Sequence, residues 1–538
     1  MKRTLLCVAL ACTGLGWAQP QPPFQRLPGP GDFLEEDWKE DVAPDPPGSE
    51  KTVVVSKFTV TGNTLLAPEE VQKAYQSYEG RALTLRELKD VARNLTAVYQ
   101  RAGYFLVRAY VPQQTIQDGQ IELRVVEGKV GKVSVEGAEN YDPEFIRERF
   151  MHSFENETFR NDKFQRAMLL LNELPDLQVK AAMSPGKEVG TTDVTLKVKD
   201  ATPIHVGLDY NNYGTSATGE NRVGLSFDAA NVLQQADQIS LRGVLGFPSR
   251  QNSFYQINYQ TPLNQDGTTI NFGYANGAFA VSEGLGAILD VRGNADIFTV
   301  AVSHPLQREL EFSSNLGLAV SHKFIRNNFF GGQQPFSRDE YNSARLTYQA
   351  DWRALDGRTL LQAAYTQGLG GTGANDPLVS RVGASGGFAK FNMDLARIQN
   401  LDHGLYALFR GSGQFATQPL YVAEQMAVGG PDTVRGYSQA ELLGDNGYVL
   451  GAELRWSPIQ DDLDAFQVCT FIDHGGVSLR RAQPGDLANG SHLTGAGFGF
   501  RFGIDHATLR LDLGFPLSPT PSRTGRSPAL YAGLQTRF

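Results

Sequence analysis

Ser343-Ala344-Arg345-Leu346-Thr347-Tyr348-Gln349-Ala350-Asp351-Trp352 alternates without a break. Ala344, Leu346, Tyr348, Ala350 and Trp352 face one way; Ser343, Arg345, Thr347, Gln349 and Asp351 face the other. A period of two residues is the signature of a strand. The pattern recurs: Ala507, Leu509, Leu511, Leu513 and Phe515 alternate with Thr508, Arg510 and Asp512. Phe498, Phe500 and Phe502 alternate with Gly497, Gly499 and Arg501. Segments near ten residues with one apolar face and one polar, arginine-bearing face predict a transmembrane β-barrel with lipid outside and water inside. A soluble antiparallel sandwich explains the alternation but not arginines opposite so many aromatics.

After Pro203 helical periodicity disappears and about sixteen antiparallel strands can be counted between 204–212 and 528–538, the tenth at 378–391. Even numbers are the rule for single-chain bacterial barrels. Connections after even strands are mostly short, as at Asp505, whereas most long ones follow odd strands, around 280–295, 323–340, 415–446 and 475–491. Short periplasmic turns and long outer loops are the expected polarity. The final strand ends on Phe538, a terminal aromatic that resembles the assembly signal of outer-membrane barrels.

Composition agrees. The 538 residues carry a net charge of −9, which argues against a nucleic-acid partner. A mean hydropathy of −0.29 excludes a polytopic helical membrane protein but not a barrel, whose alternating strands average out. Lys2 and Arg3 precede an apolar run from Leu5 to Leu15 and a small-x-small site at Gly16-Trp17-Ala18, which predicts a secretory signal peptide. Of the three cysteines, Cys7 and Cys12 fall inside it; Cys469 alone remains, so neither a disulfide nor a cysteine zinc site can form. Residues 19–50 are rich in Pro, Gln and acids and read as a linker, in which Asp32 to Lys39 has the length for about two helical turns.

From Val53 the chain reads strand, helix, helix, strand, strand: Val53 to Val60, Ala67 to Tyr75, a helix opened by Thr84, then Tyr104 to Val111 and Gln120 to Val126. Thr84-Leu85-Arg86-Glu87 fits a capping box. The order recurs over Lys129 to Lys199, a tandem repeat of one small α/β module. This order resembles the POTRA (polypeptide-transport-associated) domain. Leu95 to Tyr104, Val111-Pro112-Gln113-Gln114, Asp118-Gly119 and Val126-Glu127-Gly128 resemble the first POTRA of two-partner secretion transporters. The expected organisation is therefore a signal peptide over 1–18, a linker over 19–50, POTRA-like domains over 51–128 and 129–200, and an outer-membrane β-barrel over 201–538.

The longest loop contains Gly429-Gly430-Pro431-Asp432-Thr433-Val434-Arg435-Gly436-Tyr437. Val434, Arg435, Gly436 and Tyr437 resemble the sixth-loop motif of the Omp85 superfamily, and Phe471-Ile472-Asp473-His474-Gly475 resembles its wall motif, carried by Phe471, Asp473 and Gly475. By parity Cys469, Phe471 and Asp473 share a face opposite Phe466, Val468 and Ile472, and that face is expected to be the lumen. The resemblance implies that the loop folds into the barrel and that Arg435 meets Asp473 there as an ion pair. A guanidinium suits this task because it binds a carboxylate through two parallel hydrogen bonds.

Gly383-Ala384-Ser385-Gly386-Gly387 and the Gly368–Gly373 run match catalytic and nucleotide-binding patterns in letters only, since no strand-to-helix turn or βαβ unit surrounds them. The eight histidines lack metal-ligand spacing. No catalytic residues, metal or cofactor are expected, and the chain does not read as an enzyme. The resemblance implies a two-partner secretion transporter of the haemolysin/haemagglutinin secretion-activation type: a pore in the cell outer membrane, with its POTRA-like domains in the periplasm, that secretes an unfolded partner exoprotein. Its other expected partners are outer-membrane lipid and, for insertion, the barrel assembly machinery; nucleic acid is not among them. An outer-membrane protein assembly factor is the alternative. A passive porin or receptor is a third reading that would not need the tandem modules or the paired motifs.

Overall fold

The computed structural model describes residues 52–154, 159–188, 190–215, 217–247, 252–282, 284–459, 462–483, 490–519 and 528–538. The signal peptide expected over 1–18 and the linker expected over 19–50 lie outside the described residues. The chain divides into two units, one α/β unit and one barrel.

In the first module, strands β1 (Thr52–Val54), β2 (Lys57–Thr61), β3 (Ala82–Thr84), β4 (Arg108–Tyr110) and β5 (Gln120–Val126) surround helices α1 (Pro68–Gln72) and α2 (Leu85–Arg101). The main sheet runs β2-β5-β4, with β2 parallel to β5, a pairing that requires the intervening crossover. Helix α2 exists because of its ends and one face. Thr84 caps Glu87 N–H and Glu87 caps Thr84 N–H reciprocally. Leu88, Val91, Ala92, Leu95 and Tyr99 are its buried residues, and they pack against Phe58, Ile121 and Leu123. Fully burying each large side chain contributes roughly 1.5–3 kcal/mol. The strand expected over Tyr104 to Val111 shortens to Arg108–Tyr110. Gly103 (φ +92°) ends the helix, Tyr104 N–H bonds back to Tyr99 O, and the chain needs four residues to turn into the sheet. The small β1–β3 pair has no counterpart in the sequence reading, since three-residue strands carry too few alternations to register.

The second module repeats the plan with β6 (Lys129–Glu136), α3 (Pro143–His152), α4 (Asn161–Asn172), β7 (Leu177–Pro185) and β8 (Thr191–Asp200), in the order β6-β8-β7. Phe105 of the first module lies edge-on to Phe159 of the second, with ring centroids 5.0 Å apart, and Asn161 N–H donates to Gly103 O.

The barrel is closed and has sixteen antiparallel strands. They are β9 (Ile204–Asn211), β10 (Asn221–Ala230), β11 (Gln238–Phe247), β12 (Ser253–Pro262), β13 (Thr269–Ala280), β14 (Arg292–Arg308), β15 (Phe312–Phe329), β16 (Gln334–Ala354), β17 (Gly357–Gly371), β18 (Ala389–Asn400) and β19 (Leu405–Ala416), continued after a hairpin of β20 (Met426–Val428) and β21 (Leu442–Gly444) by β22 (Asn446–Trp456), β23 (Phe466–Ser478), β24 (Ser491–Ile504), β25 (Ala507–Pro516) and β26 (Ala529–Arg537). Helix α5 (Gly284–Ile288) sits in the connection before β14. Strand β26 pairs with β9 to close the ring, and Phe538 exchanges both backbone hydrogen bonds with Val206 beside that seam. Leu225, Ile257, Phe298, Leu346, Phe409, Leu450 and Ile472 stand exposed on the outer wall. In water such a belt would be an aggregation surface; in a bilayer it is the solvated face.

Two strand expectations need correction. The tenth strand is Ala389–Asn400, not 378–391. Residues 378–388 carry serine and glycine, including Gly383 at φ +84°, and form a turn-rich connection in which Ala384 and Phe388 are buried against Tyr341 and Tyr421. The lipid-facing row is instead Phe391, Met393 and Leu395. Residues 323–340, expected as a loop, largely extend the β15–β16 hairpin through the pairs Lys323↔Tyr341 and Ile325↔Asp339, with a bulge between Asn327 and Asn328. Adjacent apolar residues on opposite faces, Phe324-Ile325 and Phe329-Phe330, with glycine and proline between the arms, break the alternation there. Short turns follow even strands, as at Leu355-Asp356, where both residues have positive φ, the geometry that matches strand twist.

Candidate functional site

The sixth long connection, between β19 and β22, re-enters the barrel. Its tip is a compact turn: Gly429 N–H bonds Thr433 Oγ1, and Gly430 N–H bonds Val434 O. Val434 and Tyr437 are buried with Val428 and Leu442 of the loop and with Val449, Val477 and Leu493 of the wall strands, so the turn packs its apolar side against the wall. Gly436 has φ +100°, a conformation that a side chain would strain, and a Cβ there would stand 3.0 Å from the Phe515 carbonyl carbon. Tyr437 fixes the exit: its hydroxyl donates to Thr494 O at 2.7 Å and accepts from Ser518 N–H. Tyr531 of β26 holds both sides of Gly436, accepting from Gly436 N–H and donating to Tyr437 O.

This turn delivers Arg435, 1% exposed, to the inner wall. Its Nε donates to Asp473 Oδ2 at 2.7 Å, its Nη2 to Asp473 Oδ1 at 3.1 Å, and its own backbone N–H adds a third bond at 3.3 Å. The opposite edge of the guanidinium reaches Glu453 Oε2 at 2.7 Å, and Asp512 Oδ1 lies 3.9 Å away. The plane rests on Phe471, with Cζ 3.3 Å from the ring centroid. Asp473 is wholly buried on β23 beside Cys469 and Phe471, while Ile472 faces outward at 53% exposure. Gly475, farther along β23, sits under the loop hairpin rather than among the charges: a Cβ there would meet Val428 Cγ1 at 3.0 Å.

The surrounding charges form one network. Arg410 Nη2 shares Asp473 at 2.9 Å and also bonds Thr433 O. Arg455 pairs with Glu453, and Arg501 and Arg510 both pair with Asp512. Arg510 also reaches back to the loop, at Pro431 O. In a site shielded from bulk water, each carboxylate needs such partners, because desolvating an unpaired ion costs several kcal/mol. Glycines make the approach possible. A Cβ at Gly495 would fall 1.8 Å from Arg435 O, and one at Gly514 2.5 Å from Gly436 N, so the loop backbone lies directly on a bare patch of β24 and β25.

The sequence motifs single out Arg435 and Asp473 but not Glu453, Asp512, Arg410, Arg501 or Arg510. Parity does place Arg501, Arg510 and Asp512 on a polar face; strand adjacency, which sets who meets whom, is the missing information. The root of the loop is also ionic. Glu424 Oε1 accepts from Lys323 Nζ at 2.5 Å and Tyr341 OH at 2.7 Å, and Oε2 pairs with Lys390 Nζ at 2.8 Å. Asp445 pairs with the buried Arg381 and accepts from Leu420 N–H and Arg480 N–H. Among the described residues no cluster has the make-up of a metal site.

Comparison with known proteins bears on this arrangement. The family model for haemolysin secretion/activation protein ShlB/FhaC/HecB matches residues 190–502, and that for the POTRA domain, ShlB-type, matches 53–128. The outer membrane transporter CdiB of Escherichia coli O6:K15:H31 (strain 536 / UPEC) is 25% identical over 503 residues, covering 90% of this chain and 83% of the relative. The hemolysin transporter protein ShlB of Serratia marcescens is 23% identical, covering 76% of this chain and 73% of the relative. Among solved structures, CdiB from Escherichia coli superposes with a TM-score of 0.74 at 20% identity over 93% of both chains. BamA from Haemophilus ducreyi lacking POTRA domains 1-3 gives a TM-score of 0.54 at 14% identity, over 90% of this chain and all of that one. With the family model spanning more than half its length, the chain belongs to the ShlB/FhaC/HecB family of haemolysin secretion/activation proteins.

Proposed function

We propose that this barrel conducts an unfolded partner exoprotein from the periplasm to the cell surface, and that the sixth loop is the element that moves to let it pass. The observation that carries this reading is Arg435, seated inside the lumen on Asp473 and Glu453. The ion pairs and hydrogen bonds of the seat go to fixed wall residues and are joined by the apolar packing of Val434 and Tyr437, so the loop can leave and return to the same geometry. The periplasmic modules receive the client first. A chain without tertiary structure offers backbone hydrogen bonds before it offers shape, and among the described residues no strand pairs with the outer edge of β4 in the β2-β5-β4 sheet, where Thr96 Oγ1 accepts from Ala109 N–H. The outer wall is solvated by outer-membrane lipid, and the barrel assembly machinery inserts the strands, with Phe538 as part of its signal. No enzymatic step is involved.

The test is secretion of a co-expressed partner, scored at equal surface levels of each variant. Arg435→Ala and Asp473→Ala should each impair secretion to a similar degree, and the double variant should be little worse, because both singles break one interaction. Arg435→Lys restores the charge without the planar fork and should recover part of the activity. Additive losses in the double variant would sink the loop-seat mechanism.

A further inference from the structure

We propose that the outer rim of the barrel, between β19, β22 and β23, binds the phosphorylated headgroup of an outer-leaflet glycolipid. The proposal rests on the outer-membrane reading, which turns the long-loop end of the barrel to the cell surface. A cavity of about 390 Å³ opens there, lined by Thr417, Gln418, Asn446, Arg480 and Arg481 among others, with two cations and no acid among its described lining residues. That volume lies within the ~300–1,000 Å³ of small-ligand sites. Its position is on the lipid side. Arg480 Cζ lies 5.2 Å from the ring centroid of Phe415, which is 55% exposed at the outward end of β19. A guanidinium resting on an outward-facing aromatic at a strand end sits at headgroup level, where barrels carry their aromatic girdles.

The backbone under this cation is fixed. Arg480 N–H donates to Asp445 Oδ2 at 2.7 Å, and Arg480 O accepts from Arg381 Nη2 at 2.5 Å. Beyond its contact with the Phe415 ring, the guanidinium keeps a free donor: Arg480 Nε is buried and has no hydrogen-bond partner among the described residues. Neither Arg480 nor Arg481 forms a salt bridge to an acid among the described residues. Two arginine forks with no counterion among the described residues match phosphate oxygens through parallel charge-assisted bonds. Thr417, Gln418 and Asn446 add the hydroxyl and amide groups that sugar hydroxyls pair with. The same Asp445 anchors the root of the sixth loop, so the headgroup site shares its floor with the gating element.

The experiment uses the full chain purified in detergent micelles. Bis-phosphorylated lipid A, its dephosphorylated counterpart and inorganic phosphate are titrated, with bound lipid counted by native mass spectrometry. Retention of lipid A should fall about tenfold or more in Arg480→Gln/Arg481→Gln and by less in Arg480→Lys/Arg481→Lys, since ammonium keeps the charge but not the fork. Heat-modifiable gel migration confirms a closed barrel in each variant. Equal retention by the glutamine pair, or equal binding of the dephosphorylated lipid, would overturn the site. Displacement of lipid A by equimolar inorganic phosphate would make it a free-phosphate site instead, which also overturns the proposal. Lipid counting needs no client, so a failure of secretion counts against the transport reading alone.

Discussion

The tip and the root of the sixth loop are both held by buried charge, but with opposite sign. At the tip the loop supplies the cation, Arg435, and the wall supplies Asp473, Glu453 and Asp512. At the root the loop supplies the anions, Glu424 and Asp445, and the cations come from Lys323, Lys390 and Arg381. A loop marked this way has one favourable seat. Sliding it along the wall would bring carboxylate to carboxylate and guanidinium to ammonium. Buried ion pairs add little net stability over an apolar isostere, yet a broken one is costly, so their effect is to penalise every wrong position. The chemistry also differs. Arginine forks and a glycine floor at the tip give one tight, directional fit; the root combines the Arg381–Asp445 pair with two lysines on Glu424, a looser charge match.

That contrast can be broken in order of expected effect. Gly495→Ala should be the most severe, because it removes no charge yet drives a methyl group into the Arg435 carbonyl, 1.8 Å from the ideal Cβ. Secretion should fall as far as in Arg435→Ala, and single-channel conductance in planar bilayers should rise as the tip leaves its seat. Wild-type conductance in Gly495→Ala would show that backbone contact is dispensable. Glu424→Gln comes next. It leaves two lysines without their carboxylate, a change worth up to ~3–5 kcal/mol if no water reaches them. Lys323 remains 17% exposed, so the loss should be smaller than at the tip. Conductance bursts should lengthen while Arg435 variants remain worse; the reverse ranking would make the root the main hold.

The smallest effect is expected outside the barrel and gives the scale for an exposed charge. In the capping box of α2, hydrogen bonds from Thr84 N–H and its hydroxyl hold the Glu87 carboxyl below its ordinary value of 4.5. A lowered folded-state value means that the stabilisation is complete above about 4.5 and fades as pH falls below it. Thr84→Ala should cost ~1 kcal/mol of module stability at neutral pH and less under acid, read by denaturant unfolding of the soluble unit. An undiminished difference at low pH would mean that Glu87 takes no part.

Much of the barrel is legible in sequence because a lipid wall imposes strict alternation, and sixteen strands repeat it. Alternation fails as a guide where the wall leaves the membrane. The outer half of the β15–β16 hairpin sets apolar residues side by side, as at Phe324-Ile325 and Phe329-Phe330, and the segment before β18 breaks its pattern with glycine and serine, so their true extents appear only in three dimensions. Within the site, Arg435 and Asp473 stand out because each sits in a recognisable motif. The company they keep does not. Glu453 and Arg455 lie on β22 with no motif, and only the register that sets Glu453 opposite Phe471 and Gly451 opposite Asp473 brings them to Arg435. Glu424 and Asp445 look like ordinary loop acids until Lys390 of the relocated tenth strand and Arg381 of the connection before it are placed. The error in one strand therefore concealed the root of the loop.

The seam between β26 and β9 dictates an order of events. It joins residues as far apart as Leu208 and Thr536, 328 positions along the chain, through a Thr536 hydroxyl bond to Leu208 O at 3.1 Å. Closing so long a loop from an open coil costs on the order of 5 kcal/mol in chain entropy, and the paired register spans only Gly207 to Asn211, flanked by the Val206–Phe538 and Asn212–Ala532 bonds. So few pairs cannot lead folding. They become favourable once the other strands have curled the sheet and brought its margins together, when the effective loop is short. Closure is thus the last step and a slow one, in keeping with the high contact order of the join. Until it happens, the curled sheet has two open margins, and the sixth loop has an unobstructed way onto its glycine floor.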